Sequence, residues 1–271
     1  MTRTPATGRP TALITGATAG IGAAFARRLA AGAYDLVLVA RDEARLSEHA
    51  AQLRRAHGAT VEVIAADLAT PEGVEAVAHR LSTPDGVHLL VNNAGITLNR
   101  GFLDSDADDQ ERLLRLNVHA VMRLTHAALP AMLRRRSGGV INVSSVAGFA
   151  PVSPGSTYSA TKAWVTNFSV SIAGAVAGHG VRVLALCPGL VRTEFHQRAG
   201  MDVSRTPAWW WLDADRVAAR ALRDLTRGRV VSVVDWRYRI VAAGLRHLPL
   251  GLVRAVAGGV RVRSGRVEQG Q

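Results

Sequence analysis

The amino-acid sequence predicts one α/β domain, a doubly wound parallel sheet of seven strands with helices on both faces. Seven short apolar runs, rich in β-branched residues, recur along the chain. They span residues 11–15, 36–40, 61–65, 88–92, 140–144, 181–186 and 230–234. Most lack strict polar alternation, which is typical of strands covered on both faces. Stretches with helical spacing separate the runs, and repeated strand-then-helix units predict parallel strands with right-handed crossovers.

The amino-acid composition is typical of a globular protein. With 271 residues, 48% hydrophobic and 20% charged, the chain is expected to form a globular domain with a sizeable core. Cys187 is the only cysteine, so neither an intrachain disulfide nor a cysteine-based metal site is expected. Residues 1–10 lack the apolar segment of a signal peptide, and no uncharged apolar stretch reaches 18 residues. The expected compartment is the cytoplasm.

The chain has 33 basic and 21 acidic residues, which gives a net charge of +12. Every basic residue is arginine except Lys162. Nucleic acid or an anionic membrane surface would be attracted to such a charge. The first 230 residues, however, contain no recognised nucleic-acid module, so we expect no nucleic-acid partner. A phosphate-rich cofactor is the better-supported partner for part of the charge.

The first predicted strand runs directly into a glycine-rich turn that contains Gly16, Gly20 and Gly22. Glycines let the backbone approach a pyrophosphate closely, and the N-terminus of the following helix faces its negative charge. Because a strand precedes this turn and a helix follows it, the context favours a dinucleotide site over a plain turn with a helix cap.

The second predicted strand ends at Ala40-Arg41-Asp42. Sites for NAD usually place an acid at this strand end, where it binds the ribose 2′-hydroxyl. Ala40 does not repel a phosphate there, and Arg41 can pair with a 2′-phosphate through two hydrogen bonds. The sequence therefore favours NADP(H), with a solvated helix-start residue as the alternative for Arg41. Asp42 is expected to cap the next helix.

The lone lysine follows Tyr158 by four residues, so both side chains share one face of a predicted helix. Lysine is a compact charge that its surroundings can tune, which arginine is not. An ammonium at Lys162 favours the ionised phenol and is predicted to lower the pKa of Tyr158 from about 10. The pair is then a general acid/base at physiological pH, or else a helix-surface pair without function.

These motifs, taken in order, resemble the short-chain dehydrogenase/reductase family over residues 11–234, with its Rossmann-type fold. They are Thr15-Gly16-x-x-x-Gly20-Ile21-Gly22, Asp67-Leu68, Asn92-Asn93-Ala94-Gly95, Asn117, Asn142-Val143-Ser144-Ser145, Tyr158-x-x-x-Lys162 and Pro188-Gly189-x-x-x-Thr193. The resemblance implies four catalytic residues. Ser145, thirteen residues before Tyr158 and so preferred over Ser144, would hold the substrate oxygen, and Tyr158 would exchange the proton. Lys162 would bind the nicotinamide ribose, and Asn117 would hold a water that links Lys162 to solvent, or only bond locally.

The resemblance also implies a set of cofactor-binding residues spread over the ends of the strands. They are Gly16, Thr18, Gly20, Ile21, Gly22, Arg41, Asp67, Leu68, Asn93, Ala94, Gly95, Tyr158, Lys162, Pro188, Gly189, Val191 and Thr193. Asn93 and Gly95 would touch the cofactor or brace the sheet, and Thr193 would contact the nicotinamide carboxamide or cap a helix. No histidine has ligand spacing to another histidine or to the cysteine, so no metal site is expected.

The predicted organisation has three parts: a flexible extension over residues 1–10, a Rossmann-type catalytic domain over 11–235, and a basic amphipathic tail over 236–271. Within the domain, residues 190–212 are expected to form a mobile substrate loop. Its Trp209-Trp210-Trp211 cluster lines an apolar pocket or packs against the body or a neighbouring subunit. The tail is expected to dock on this loop, on a partner subunit or on a membrane surface. The family implies a homodimer or homotetramer.

The function predicted at this stage is hydride transfer between NADP(H) and a carbonyl or secondary alcohol of a small, apolar substrate. Two alternatives stay open. One is a redox-inactive NADP-binding regulatory protein on the same fold, and the other is a membrane-surface-associated protein that acts through its tail.

Overall fold

Seven parallel strands form the frame of the structure, a computed structural model that describes residues 8–83, 86–151, 156–204, 206–247 and 251. The order across the sheet is β3-β2-β1-β4-β5-β6-β7, and every neighbouring pair is parallel. The strands are β1 Thr11–Thr15, β2 Asp35–Ala40, β3 Val61–Ala65, β4 Leu89–Asn92, β5 Gly138–Val143, β6 Val181–Leu186 and β7 Val231–Ser232. The predicted doubly wound α/β fold is therefore confirmed.

Helices follow the strands and cover both faces of the sheet. They are α1 Gly20–Ala31, α2 Glu43–His57, α3 Pro71–Leu81, α4 Ala107–Leu114, α5 Ala120–Arg134, α6 Thr157–Ala175, α7 Glu194–Arg198, α8 Ala214–Thr226 and α9 Trp236–His247. Asp42 caps α2 as predicted, because its side chain accepts a hydrogen bond from the Arg45 backbone N–H at 3.0 Å. In the described part of the chain, no helix is both long and apolar enough to cross a membrane.

The core consists of two apolar layers, one on each face of the sheet. Alternate residues of one strand enter different layers: Ile14 packs in the layer of α1 and α8, whereas Leu13 packs in the layer of α3 and α5. A strand that is buried on both sides needs apolar residues at every position, which explains why the sequence runs lack polar alternation.

The strand order reverses between β1 and β4, and this reversal indicates where a ligand would bind. In an open parallel sheet, ligands bind in the crevice outside the carboxyl ends of the strands at such a point. The segments that leave β1, β2, β3, β4, β5 and β6 at this edge carry most of the predicted site residues, whereas Tyr158 and Lys162 lie in α6 and Asn117 lies in the π-helical turn before α5. Residues 1–7, and the tail beyond 247 apart from 251, lie outside the described residues.

The seventh strand is shorter than the predicted run, since it pairs with β6 only over Val231–Ser232. A buried carboxylate anchors it. Asp224 of α8 is fully buried, accepts a hydrogen bond from the Ser232 hydroxyl at 2.6 Å, and pairs with Arg220 at 2.8 Å and Arg229 at 3.5 Å. This cluster ties α8 to the edge of the sheet.

We predict that Asp224→Asn lowers the free energy of unfolding by about 2–4 kcal/mol, because it leaves two guanidinium groups without their buried anion. Asp215→Asn, on the same helix α8, is the matched control: it breaks a half-exposed ion pair with Arg28 of α1 and should cost below about 1 kcal/mol. Urea titration of both variants measures the difference. Equal losses would show that the Asp224 cluster contributes no more than a surface pair.

Candidate active site

A left-handed glycine bend joins β1 to α1. Gly16 has φ +66° and Gly20 has φ +54°, which L-residues with a side chain rarely adopt. A Cβ at Gly22 would lie 2.2 Å from the Gly16 carbonyl oxygen, so the turn cannot accommodate one. The N-cap position of α1, Ala19, makes no side-chain cap bond, and the first turn carries no acid. The N–H groups of this turn are thus suited to bind an anion such as a pyrophosphate.

The bend is held by the loop that leaves β4. The Thr15 hydroxyl accepts hydrogen bonds from the N–H groups of Asn93 and Ala94, both at 2.9 Å. The Asn93 amide donates to the carbonyls of Thr15 at 2.9 Å and Gly16 at 3.2 Å. In the structure, Asn93 braces the bend, which is one of the two roles predicted for it.

At the end of β2, Arg41 is exposed and makes no ion pair within the described residues. The positive charge of Arg41 contributes to lowering the pKa of Asp67, which follows β3. Partial burial acts to raise the pKa of Asp67, but hydrogen bonds from the Ala69 N–H and from Arg112, at 2.7 Å, hold that pKa below its ordinary value. The side chain of Leu68 is buried in the core.

The two candidate serines point to different places. The Ser144 hydroxyl is buried, donates to the Lys162 carbonyl at 2.7 Å and bonds the Thr166 hydroxyl at 2.8 Å. The Ser145 hydroxyl instead accepts a hydrogen bond from the Ala147 N–H at 3.1 Å and lies close enough to Tyr158 to lower the pKa of its phenol. The structure therefore brings Ser145 and Tyr158 together and leaves Ser144 as a structural residue.

Lys162 is buried beneath this pair. Its ammonium donates to the carbonyl of Val143 at 2.8 Å and lies 5.7 Å from the centre of the Tyr158 ring. Burial lowers the pKa of Lys162 to about 8, because a charged group loses its hydration there.

The prediction that Lys162 lowers the pKa of Tyr158 is wrong for this structure. Desolvation by the surrounding groups raises the pKa of Tyr158 to about 12, and the neighbouring Ser145 hydroxyl offsets only part of that rise. The ammonium is directed at the Val143 carbonyl rather than at the phenol oxygen, so its charge does not dominate. At neutral pH the phenol is protonated and can donate.

Asn117 lies in a π-helical turn, Arg115–His119, between α4 and α5. Its buried amide bonds the backbone of Ile96 twice, as acceptor and as donor, both at 2.9 Å. It also donates to the Thr161 hydroxyl at 3.2 Å. A Cβ at Gly95 would lie 3.1 Å from the Asn117 oxygen and 3.5 Å from the Lys162 nitrogen, so this glycine lets the two side chains approach. No sequence signal pointed to Thr161.

The loop after β6 closes over the glycine bend. The Thr193 hydroxyl caps α7 by accepting from the Phe195 N–H at 3.3 Å, and its methyl group would lie 2.6 Å from a Cβ at Gly20. Glu194 pairs with Arg45 of α2 at 2.8 Å, across the crevice. Arg45 was not among the predicted residues, because its partner lies 149 positions away.

A cavity of about 460 Å³ opens inside this loop. Its walls include Arg192, Thr193, His196, Thr206 and Trp211. Phe195 lies between this cavity and the catalytic candidates, since its ring is 6.0 Å from that of Tyr158 and 5.6 Å from that of His196, which lines the cavity. The three tryptophans of the loop have different surroundings. Trp211 lines the cavity, Trp210 packs on Tyr238 with ring centres 5.2 Å apart, and Trp209 is 56% exposed.

Comparison with known proteins agrees with this geometry. The family model described as short chain dehydrogenase matches residues 10–203. A short-chain dehydrogenase from Sphingobium yanoikuyae, solved in complex with NADPH, is 37% identical with a TM-score of 0.80, over 94% of this chain and 97% of that one.

Two further relatives cover nearly the whole domain. The bulky-bulky ketone specific alcohol dehydrogenase from Comamonas testosteroni is 30% identical with a TM-score of 0.77, over 95% of this chain and 97% of that one. An uncharacterized oxidoreductase of Staphylococcus epidermidis is 30% identical over 231 residues, which are 85% of this chain and 96% of the relative.

Proposed function

Because this chain belongs to the short-chain dehydrogenase family, we propose that it transfers hydride between NADP(H) and a carbonyl or secondary alcohol. The observation that carries the proposal is the meeting of Ser145, Tyr158 and Lys162 at the carboxyl end of β5, beside a glycine bend suited to a pyrophosphate. A regulatory protein without redox activity would have no need for a buried ammonium beneath a phenol.

In the reductive direction, Ser145 and Tyr158 hold the substrate oxygen through their hydroxyls. When bound, the nicotinamide supplies the hydride that adds to the carbonyl carbon. As the carbon–oxygen π bond breaks, the oxygen takes the proton of the Tyr158 hydroxyl. Because burial raises the pKa of Tyr158 to about 12, the phenol is protonated at neutral pH and carries the proton that the reduced carbonyl needs. Lys162 lies beneath the phenol, where it would bind the nicotinamide ribose, and Asn117 fixes the turn beside it.

The preference for NADP(H) is supported by Arg41, which is exposed at the end of β2 without an ion pair among the described residues. Ala40 leaves room for a phosphate where an acid would repel it. The remaining predicted residues at the strand ends would hold the rest of the cofactor, with Gly16, Gly20 and Gly22 against its pyrophosphate.

An apolar, bulky substrate is supported by two aromatic side chains near the site: the Phe195 ring lies 6.0 Å from that of Tyr158, and Trp211 lines the cavity. The Comamonas relative is named for bulky ketones, which is consistent with such a pocket. The cytoplasmic location and the homodimer or homotetramer stay predictions.

We predict that Tyr158→Phe lowers turnover by about two orders of magnitude or more, because it removes the proton donor but keeps the ring. NADPH binding, followed by nicotinamide fluorescence, should stay within about twofold of the parent chain. Turnover is measured as NADPH absorbance over a panel of steroids, acyl ketones, sugars and quinones. Binding without turnover on every member of the panel would instead support the redox-inactive alternative, and unchanged turnover in the variant would remove Tyr158 from the reaction.

We predict that Arg41→Ala weakens NADPH binding by about tenfold or more and leaves NADH binding nearly unchanged, because only NADPH carries the 2′-phosphate. Arg55→Ala, which removes the same charge from an exposed position further along α2, is the matched control. Equal weakening of both cofactors in Arg41→Ala would exclude the proposed phosphate contact.

A second candidate role, binding at an anionic membrane surface, is favoured by the outer face of α9. Trp236 is 66% exposed and Ile240 is 64% exposed, one turn apart, with Arg239 beside them. Exposed apolar side chains flanked by arginine are typical of interfacial helices, and the net charge of +12 adds attraction to anionic lipids.

We predict that the chain sediments with vesicles that contain phosphatidylserine and not with phosphatidylcholine alone. The double change Trp236→Ser and Ile240→Ser should abolish this binding, whereas Leu103→Ser should not, although Leu103 is 94% exposed on another element. Sedimentation of the double variant at the parent level would exclude α9 as the contact.

A further inference from the structure

Tyr238 belongs to none of the motifs, yet its hydroxyl lies at the centre of the loops that form the site. The side chain is 4% exposed and comes from the buried face of α9. Its hydroxyl accepts a hydrogen bond from the Leu190 N–H at 3.0 Å and donates one to the Trp210 carbonyl at 2.8 Å. One phenol therefore joins the two ends of the substrate loop.

The ring of Tyr238 packs on the backbone of Gly189. A Cβ at this position would lie 2.0 Å from the ring carbon that carries the hydroxyl, so only glycine permits the contact. Gly189 does not have positive φ, and its lack of a side chain is therefore a matter of space rather than of backbone conformation. The segment that the ring covers is the one predicted to face the nicotinamide.

The helix that carries Tyr238 is itself anchored at both ends. Near its start, Arg237 donates to the buried Asp235 at 2.8 Å and also to the backbone carbonyl of Trp209. Near its end, the Arg246 guanidinium stacks 4.5 Å above the ring of Phe149, in the turn that follows Ser145. The helix thus contacts both the loop after β6 and the segment that carries a catalytic candidate.

We infer that Tyr238 is a positioning residue that holds residues 188–193 in the conformation that receives the nicotinamide half of the cofactor. The inference rests on the proposed function. Without the phenol hydroxyl, the Leu190 N–H and the Trp210 carbonyl lose their partner, and the loop samples more conformations. Binding must then supply the ordering free energy that the hydroxyl supplies in the parent chain.

The test compares two ligands that share the phosphate-bearing half of the cofactor. NADPH contains the nicotinamide, and adenosine 2′,5′-bisphosphate does not. In Tyr238→Phe, which keeps the ring and removes the hydroxyl, we expect NADPH to bind about fivefold more weakly in calorimetric titration, and adenosine 2′,5′-bisphosphate to bind as in the parent chain. Tyr34→Phe, the same chemical change between α1 and β2, should affect neither ligand.

A second variant changes the other partner of the contact between Tyr238 and Gly189. Gly189→Ala should displace the ring and produce the same selective loss of NADPH affinity. Parent-level NADPH affinity in Tyr238→Phe would overturn the inference, and so would an equal loss for both ligands, which indicates general damage. A parent chain that binds neither ligand would overturn the proposed function as well, so the two failures are distinguishable.

Discussion

A buried hydrogen bond between two asparagines sets the geometry on which the site depends. The Asn92 amide, at the end of β4, donates to the Asn142 oxygen of β5 at 2.9 Å and to the Thr125 hydroxyl at 3.1 Å, and Asn142 donates to Ser169 of α6. A slip of one residue between these strands would turn every side chain to the opposite face and bury these amides without partners. Because the register is held here, the segments that follow, 93–95 and 143–145, emerge side by side.

The strand register also buries Lys162 and Tyr158, and their burial determines the direction of their pKa shifts. The only lysine of the chain lies under the edge of the sheet, where its ammonium loses hydration and bonds a single backbone carbonyl. Tyr158 loses hydration in the same place. Desolvation acts in opposite directions on an acid and a base, so it raises the pKa of Tyr158 and lowers that of Lys162. Both shifts favour the neutral forms, a phenol that keeps its proton and an amine that gives one up more readily.

The substrate side is assembled from distant parts of the chain. Thr193 packs on Gly20, Glu194 pairs with Arg45, and Tyr238 holds both ends of the loop. Each contact joins the loop to a different element, so the loop has a defined shape although it contains only short helices. The described part of the predicted tail contacts this loop through one face of α9 and exposes Trp236 and Ile240 on the other.

The sequence by itself determined the fold class, the glycine bend and the cap at Asp42, because these depend on local spacing and on the period of apolar residues. The preference for Ser145 over Ser144 came from the family resemblance. Only the tertiary structure decided the direction of the Tyr158 pKa, the bonds of Asn117 to Ile96 and Thr161, and the contact of Tyr238 with Gly189. A pKa depends on every group that displaces water, and a contact between residues 49 positions apart leaves no trace in either segment. Local sequence patterns specify helices, strands and turns, whereas desolvation and long-range contacts arise only when these elements pack against each other.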